Sequence, residues 1–124
     1  MNTIATLLGA ALLATAALPA FAAADGEPLA DCVQLSDGHK GSRAAGNTQL
    51  LLKDGRSHYR VSFEGRCNTL ARNRAVFIET AGEHNRLCPR GTMVTAQADS
   101  CSASAVERID AQTYERQLHE RGRR

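Results

Sequence analysis

From residue 50 onward the chain alternates. Leu50 to Lys53 is an apolar run that ends at Asp54-Gly55, and beyond it Tyr59, Val61 and Phe63 alternate with His58, Arg60 and Ser62. A period of two sends every second side chain to one face, so this stretch predicts a strand with one apolar and one polar side. Asp-Gly between two such runs is a hairpin signal. Val76-Phe77-Ile78 predicts a third strand, and the turn residues Gly82-Glu83-His84-Asn85 lead into Arg86-Leu87-Cys88. Thr92 to Gln97 and Ser102 to Ile109 continue the strand pattern. Near the C-terminus the period changes: Asp110 offers an N-cap to a segment beginning at Ala111, and Tyr114 and Leu118 fall at i and i+4 on one helical face. Residues 119–124 are basic and are expected to fray.

Turn signals every eight to twelve residues predict an all-β fold: a small antiparallel meander, sandwich or partly open barrel, with a short C-terminal helix. Ser36 to Asn47, a small and polar stretch with three glycines, is expected to be a mobile loop or, as the alternative, a binding loop.

The first 24 residues have a different character. They hold no charged side chain, Ile4 to Leu18 is apolar, and Ala20-Phe21-Ala22-Ala23-Ala24 follows Pro19. This pattern predicts a secretory signal peptide over 1–24, cleaved after Ala22 or Ala24, although no Lys or Arg precedes the apolar run. A membrane anchor needs about 20 apolar residues, and this run is shorter. Leu29-Ala30-Asp31-Cys32 superficially resembles a lipidation box, but Asp31 is an anion where a small residue is wanted. Export places the mature chain in the periplasm or outside the cell, with no membrane span after cleavage. Asp25 to Asp31 then reads as a polar leader, and residues 32–118 as the β domain.

Cys32, Cys67, Cys88 and Cys101 all lie in the mature part. An even count in an exported chain predicts two disulfides. Zinc ligands usually come in close pairs such as C-x2-C, and no such pair occurs, so no metal site is expected. A domain of about 100 residues has a thin core and needs such staples. Counting strand directions, with 82–85 as a hairpin, returns Cys88 toward Cys67 and favours Cys67–Cys88 with Cys32–Cys101. If that stretch is a loop instead, parity changes and Cys32–Cys88 with Cys67–Cys101 is preferred.

The run Tyr59-Arg60-Val61-Ser62-Phe63-Glu64-Gly65-Arg66-Cys67, then Val76-Phe77-Ile78-Glu79, Leu87-Cys88, and Cys101 followed by Val106-Glu107-Arg108-Ile109, resembles an uncharacterised family of small exported bacterial proteins with four cysteines. The resemblance spans Cys32 to about Leu118. It implies export and a disulfide-bonded β domain, and it brings no catalytic residues with it. The glycine-rich stretch from Ser36 to Asn47 departs from the pattern.

The 124 residues carry a net charge of +2, which makes the chain neither a polybasic tail nor an acidic disordered one. That length excludes the large α/β enzyme architectures, which take about 200 residues or more. Its basic side chains are mostly arginine, thirteen against two lysines. Between residues 56 and 90, seven arginines face only Glu64, Glu79 and Glu83. Guanidinium forks suit carboxylates and phosphates, so Arg56, Arg60, Arg86 and Arg90 are candidate anion-binding residues; a solvated polar face is the plainer account. Nucleic acid is not an expected ligand, because few aromatics interleave with the basic residues.

His39, His58, His84 and His119 are the candidates for acid–base work, but no H-x-H or H-x3-H pair occurs and nothing in the spacing joins them. There is no nucleophile elbow, and the cysteines are better used in bridges. No catalytic residue and no cofactor are assigned. The expected function is a non-enzymatic, exported binding or envelope-associated module, whose partner is a periplasmic protein or an anionic ligand. One alternative is an inhibitor that blocks a secreted or periplasmic hydrolase with the stretch 36–47. Another is a small hydrolase or nuclease using His58 or His84 with arginines.

Overall fold

A computed structural model describes residues 26–122 and the isolated Gly9, with side chains from 26 to 120. Apart from Gly9, the signal peptide expected over 1–24 lies outside the described residues, as do Arg123 and Arg124. Among the described residues no helix is long and apolar enough to cross a membrane.

The strands are β1 (Glu27–Pro28), β2 (Val33–Gln34), β3 (Lys40–Ala44), β4 (Gln49–Asp54), β5 (Ser57–Ser62), β6 (Phe77–Thr80), β7 (Glu83–His84), β8 (Arg86–Leu87), β9 (Thr92–Thr95), β10 (Ser100–Ser102) and β11 (Ala105–Ile109); the helices are α1 (Asn68–Arg72) and α2 (Ala111–Gly122). A five-stranded sheet has the order β1-β11-β5-β4-β3, a four-stranded sheet β10-β9-β6-β7, and β2 with β8 forms a separate short ladder. All pairings are antiparallel. The fold is the expected small antiparallel β architecture with a C-terminal helix, and it is not a closed barrel.

The alternation in β5 works as expected. Tyr59 and Val61 point to the same side as Leu50 and Leu52 of β4 and Val106 of β11, and there they meet Ile78 of β6, Val94 of β9, Leu70 of α1 and Leu87 of β8. These side chains make the main core, and most are essentially inaccessible to water. At the β4–β5 hairpin, Gly55 takes a φ of 60°, a conformation glycine adopts at no steric cost.

The other side of the large sheet is also covered. Tyr114 and Leu118 of α2 pack on Leu51, Ala44 and Ile109 as a second, smaller cluster. Asp110 caps α2, its Oδ1 accepting the Thr113 N–H at 2.7 Å. That bond holds the Asp110 carboxyl below the usual carboxylate range. The helix runs to Gly122, so residues 119–122, expected to fray, continue it.

Four expectations are corrected. Residues 26–31 are not a detached leader: β1 pairs with β11 through Glu27↔Arg108 and Pro28↔Glu107, and Leu29 enters the main core. The stretch 36–47 is not a free loop, because Lys40–Ala44 is the edge strand of the five-stranded sheet. The chain turns out of β3 through three consecutive residues with positive φ, Ala45 at 49°, Gly46 at 64° and Asn47 at 65°. Glycine and asparagine tolerate that region and alanine does not. Third, Ser102 to Ile109 is not one strand: Ala103 N–H bonds Thr92 O in the small sheet and Ser104 N–H bonds Ser62 O in the large one, so the chain changes sheets between them.

The fourth correction is the disulfide pairing. The bridges are Cys32–Cys88 and Cys67–Cys101, not Cys67–Cys88 and Cys32–Cys101. The tight turn after β6 is made by Ala81 and Gly82, both at positive φ, and β7 does return along β6. Asn85, at φ 60°, then bends the chain away, and β8 leaves β6 and β7 to pair with β2. Cys88 is thereby carried to Cys32. Cys67, the N-cap residue of α1, is left for Cys101 on β10.

Candidate functional site

The candidate anion-binding arginines separate. Arg60 lies on the helix-facing side of β5 and is buried. Its Nε and Nη2 donate to the two carboxylate oxygens of Glu107, directly across on β11, both at 3.2 Å. Its Nη1 donates to Gln117 Oε1 on α2 at 3.2 Å, and Gln117 Nε2 passes the chain to Gln49 Oε1 at 3.1 Å. A buried guanidinium must be neutralised and hydrogen-bonded, and this set does both. Arg60 therefore fastens α2 to the sheet. Arg56 is exposed at the β4–β5 turn. Arg86 and Arg90 alone come together: both line a shallow groove of about 510 Å3 beside the Cys32–Cys88 bridge, where Arg86 Nη1 also meets Glu83 Oε2 at 2.6 Å.

The histidines do not converge either. His58, expected on an exposed polar face, is buried under α2 with its ring 4.9 Å from that of Tyr114, centroid to centroid. His84 is exposed on β7 in the other sheet. His119 is exposed on α2. His39 Nδ1 lies 2.7 Å from Ser36 O, in a turn that Asp54 holds by accepting from both the Ser36 hydroxyl and, at 2.9 Å, the Ser36 N–H. The hydroxyl bond and then the N–H bond pull the Asp54 carboxyl below its ordinary range. Among the described residues no group of three or more His, Cys, Asp or Glu side chains is arranged to hold a metal.

A different surface draws several groups together around β3. This strand ends the five-stranded sheet. Thr48 O accepts the Phe63 N–H, so Leu50 and Leu52 turn their backbone groups to β5, while Gln49, Leu51 and Lys53 turn theirs to β3. Through the β3–β4 register, Lys40, Ser42 and Ala44 bond β4, and Gly41 turns its N–H and C=O to the outer edge.

Each side of that edge has a cleft. On the core side, about 210 Å3 is enclosed by His39, Gly41, Arg74 and Val76 over Leu50 and Leu52. On the helix side, about 320 Å3 lies between Ala44, Gly46, Asn47, Gln117 and Glu120. Lys40 and Lys53 sit opposite one another at the start of the strand, and β3 holds no acidic residue. Arg43 bridges to α1, donating from Nε to Leu70 O and from Nη2 to Asn73 O. This places cationic charge at the helix C-terminus, where it is favoured. Sequence reasoning missed this edge because glycines and polar residues masked a strand whose apolar side is supplied by its neighbours. The one available signal was the alternation of Lys40, Ser42 and Ala44 with Gly41 and Arg43.

No family model, curated protein or solved structure matches this chain.

Proposed function

We propose that this chain is an exported, disulfide-stapled binding module that takes an extended acidic segment of a protein partner as a sixth strand beside β3. Export rests on the N-terminal sequence, and the two disulfides agree with an oxidising compartment. The observation that carries the reading is the edge position of β3, with the backbone of Gly41 turned outward between two clefts. Strand addition draws affinity from main-chain hydrogen bonds and specificity from pockets for alternate side chains. A period of two sends those side chains to opposite faces, as the two clefts require. Lys40, Lys53 and Arg74 favour carboxylates on the incoming segment.

The test is a titration of the isotope-labelled protein with an alternating Glu-Val hexapeptide, followed by amide chemical shifts. Perturbations confined to residues 39–47, 74–76, 117 and 120, absent with a Lys-Val peptide, are expected. Gly41→Pro removes an outward N–H and leaves the bonds to β4 in place, and Lys40→Glu with Arg74→Glu reverses the charge. Each variant, checked for a native thermal transition, should abolish the shifts. No perturbation in the unmodified protein, or equal perturbation in folded Gly41→Pro, would overturn the reading.

A further inference from the structure

The two disulfides occupy opposite environments. Cys67 is buried in the main core, Cys101 is half-buried and packs against that core, and Cys101 Sγ also lies 3.4 Å from Thr69 Oγ1. Cys32 is exposed. With Cys88 it lines the groove that holds Arg86 and Arg90, and Cys32 alone also borders a second hollow of about 280 Å3 with Asp31 and Arg108. The 3% exposure of Cys88 makes the bridge asymmetric: one sulfur-bearing residue open to solvent, the other packed under Thr92, whose hydroxyl accepts the Cys88 N–H at 2.8 Å.

We infer that Cys32–Cys88 is a thiol–disulfide exchange site for an external dithiol, while Cys67–Cys101 is a permanent staple. Exchange requires a thiolate to reach one sulfur and a leaving thiolate to be accommodated at the other. The attacking thiolate bonds to Cys32 Sγ, the Cys32–Cys88 bond breaks, and its electron pair leaves on Cys88 Sγ. The second thiolate of the dithiol then attacks the partner sulfur of the mixed disulfide and releases Cys32. The dithiol is oxidised by two electrons, the bridge is reduced by two, and the two thiol protons pass to Cys32 and Cys88. The negative charge that develops on Cys88 does so in a groove with two guanidinium groups against one carboxylate, Glu83. Positive surroundings favour a thiolate.

Opening this bridge has a structural consequence. The segment 26–35 is otherwise held by the two-residue pairings β1–β11 and β2–β8, by Leu29 N–H to Val106 O and Leu35 N–H to Asn85 O, by Gln34 Nε2 donating to His84 O, and by the burial of Leu29 and Leu35. Reduction therefore loosens the N-terminal strands and leaves the body of the two sheets stapled by Cys67–Cys101.

The experiment treats the folded protein, at neutral pH and without denaturant, with limiting dithiothreitol or reduced glutathione, alkylates at intervals, and maps the cysteines by mass spectrometry. Cys32 and Cys88 should be labelled together at a rate at least about tenfold above that of Cys67 and Cys101. Glutathione should be trapped as an adduct on Cys32, not on Cys88. Arg86→Gln with Arg90→Gln should slow opening of Cys32–Cys88 by about threefold and leave Cys67–Cys101 unchanged. Equal rates for the two bridges, earlier loss of Cys67–Cys101, or adducts on Cys88 would overturn the assignment. An unchanged rate in the folded double arginine variant would overturn the role given to the groove's charge.

Discussion

The two faces of the five-stranded sheet are both buried, by different means. On one, Leu50, Leu52, Tyr59, Val61 and Val106 meet the second sheet with hardly a polar atom among them. On the other, Leu51, Ala44 and Ile109 share the surface with His58 and Arg60, and α2 covers them by adding Tyr114 to the apolar part and Gln117 to the polar part. The first face is held by loss of water contact and close-packed dispersion, which have no directional requirement. The second depends on a guanidinium whose donors must all find acceptors, which sets where α2 lies on the sheet. An apolar face drives burial; a polar face under a helix specifies position.

The largest effect should come from the dry face. Leu52→Ala removes a side chain only 1% exposed and should cost about 2–5 kcal/mol, read as a fall in the urea midpoint. A loss below about 1 kcal/mol would mean that the two sheets pack loosely, and the contrast between the faces would fail.

Next, Glu107→Ala strands the Arg60 guanidinium under α2 and should cost about 1–3 kcal/mol. Adding Arg60→Leu to that variant should recover part of the loss, since replacing both charged partners with apolar groups is often close to neutral. A double-mutant cycle with no coupling would show that the pair does not hold the helix.

Tyr114→Leu removes the ring packed at a tilt against His58 and keeps an apolar anchor on α2. It should cost about 1 kcal/mol. Its signature is faster hydrogen exchange confined to 111–122, with the small sheet unaffected.

The smallest effect is a pH dependence. Asp110 and Asp54 both have folded carboxyls shifted below the ordinary value of 3.8. Their contribution is complete above that value and is lost as pH falls through the lower folded value. Thermal melts from pH 5 down to pH 2 should therefore decline more steeply in the native chain than in Asp110→Asn. Asparagine is itself a good N-cap, so at pH 7 that variant should melt close to the native chain. A slope unchanged by the substitution would remove Asp110 from the account.

Legibility in the sequence followed the same division. The strand from Ser57 to Ser62, its hairpin and the helix capped by Asp110 were readable, because period and capping are local properties of consecutive residues. The partners of the polar positions were not. His58 and Arg60 read as exposed because β5 taken alone has a polar side; only a helix more than fifty residues later covers them. β3 was missed because an edge strand flanked by glycines carries little hydrophobic signal. The anion-binding expectation divided for the same reason, since Arg86 and Arg90 share a groove only through the folding of β8 against β2, while Arg60 is consumed by Glu107.

What the amino-acid order determined by itself was the class of fold, the even set of cysteines and the end of the chain as a helix, all consequences of side-chain periodicity and composition. The tertiary structure alone decided which cysteines meet, which arginines stay open to solvent and which strand forms the edge of the large sheet among the described residues. Those depend on one residue, Asn85, turning the backbone through a positive φ, and on two adjacent residues, Ala103 and Ser104, bonding to different sheets. A change of direction at a single backbone position leaves the hydrophobic pattern on either side intact, yet it chooses the partner of every strand that follows.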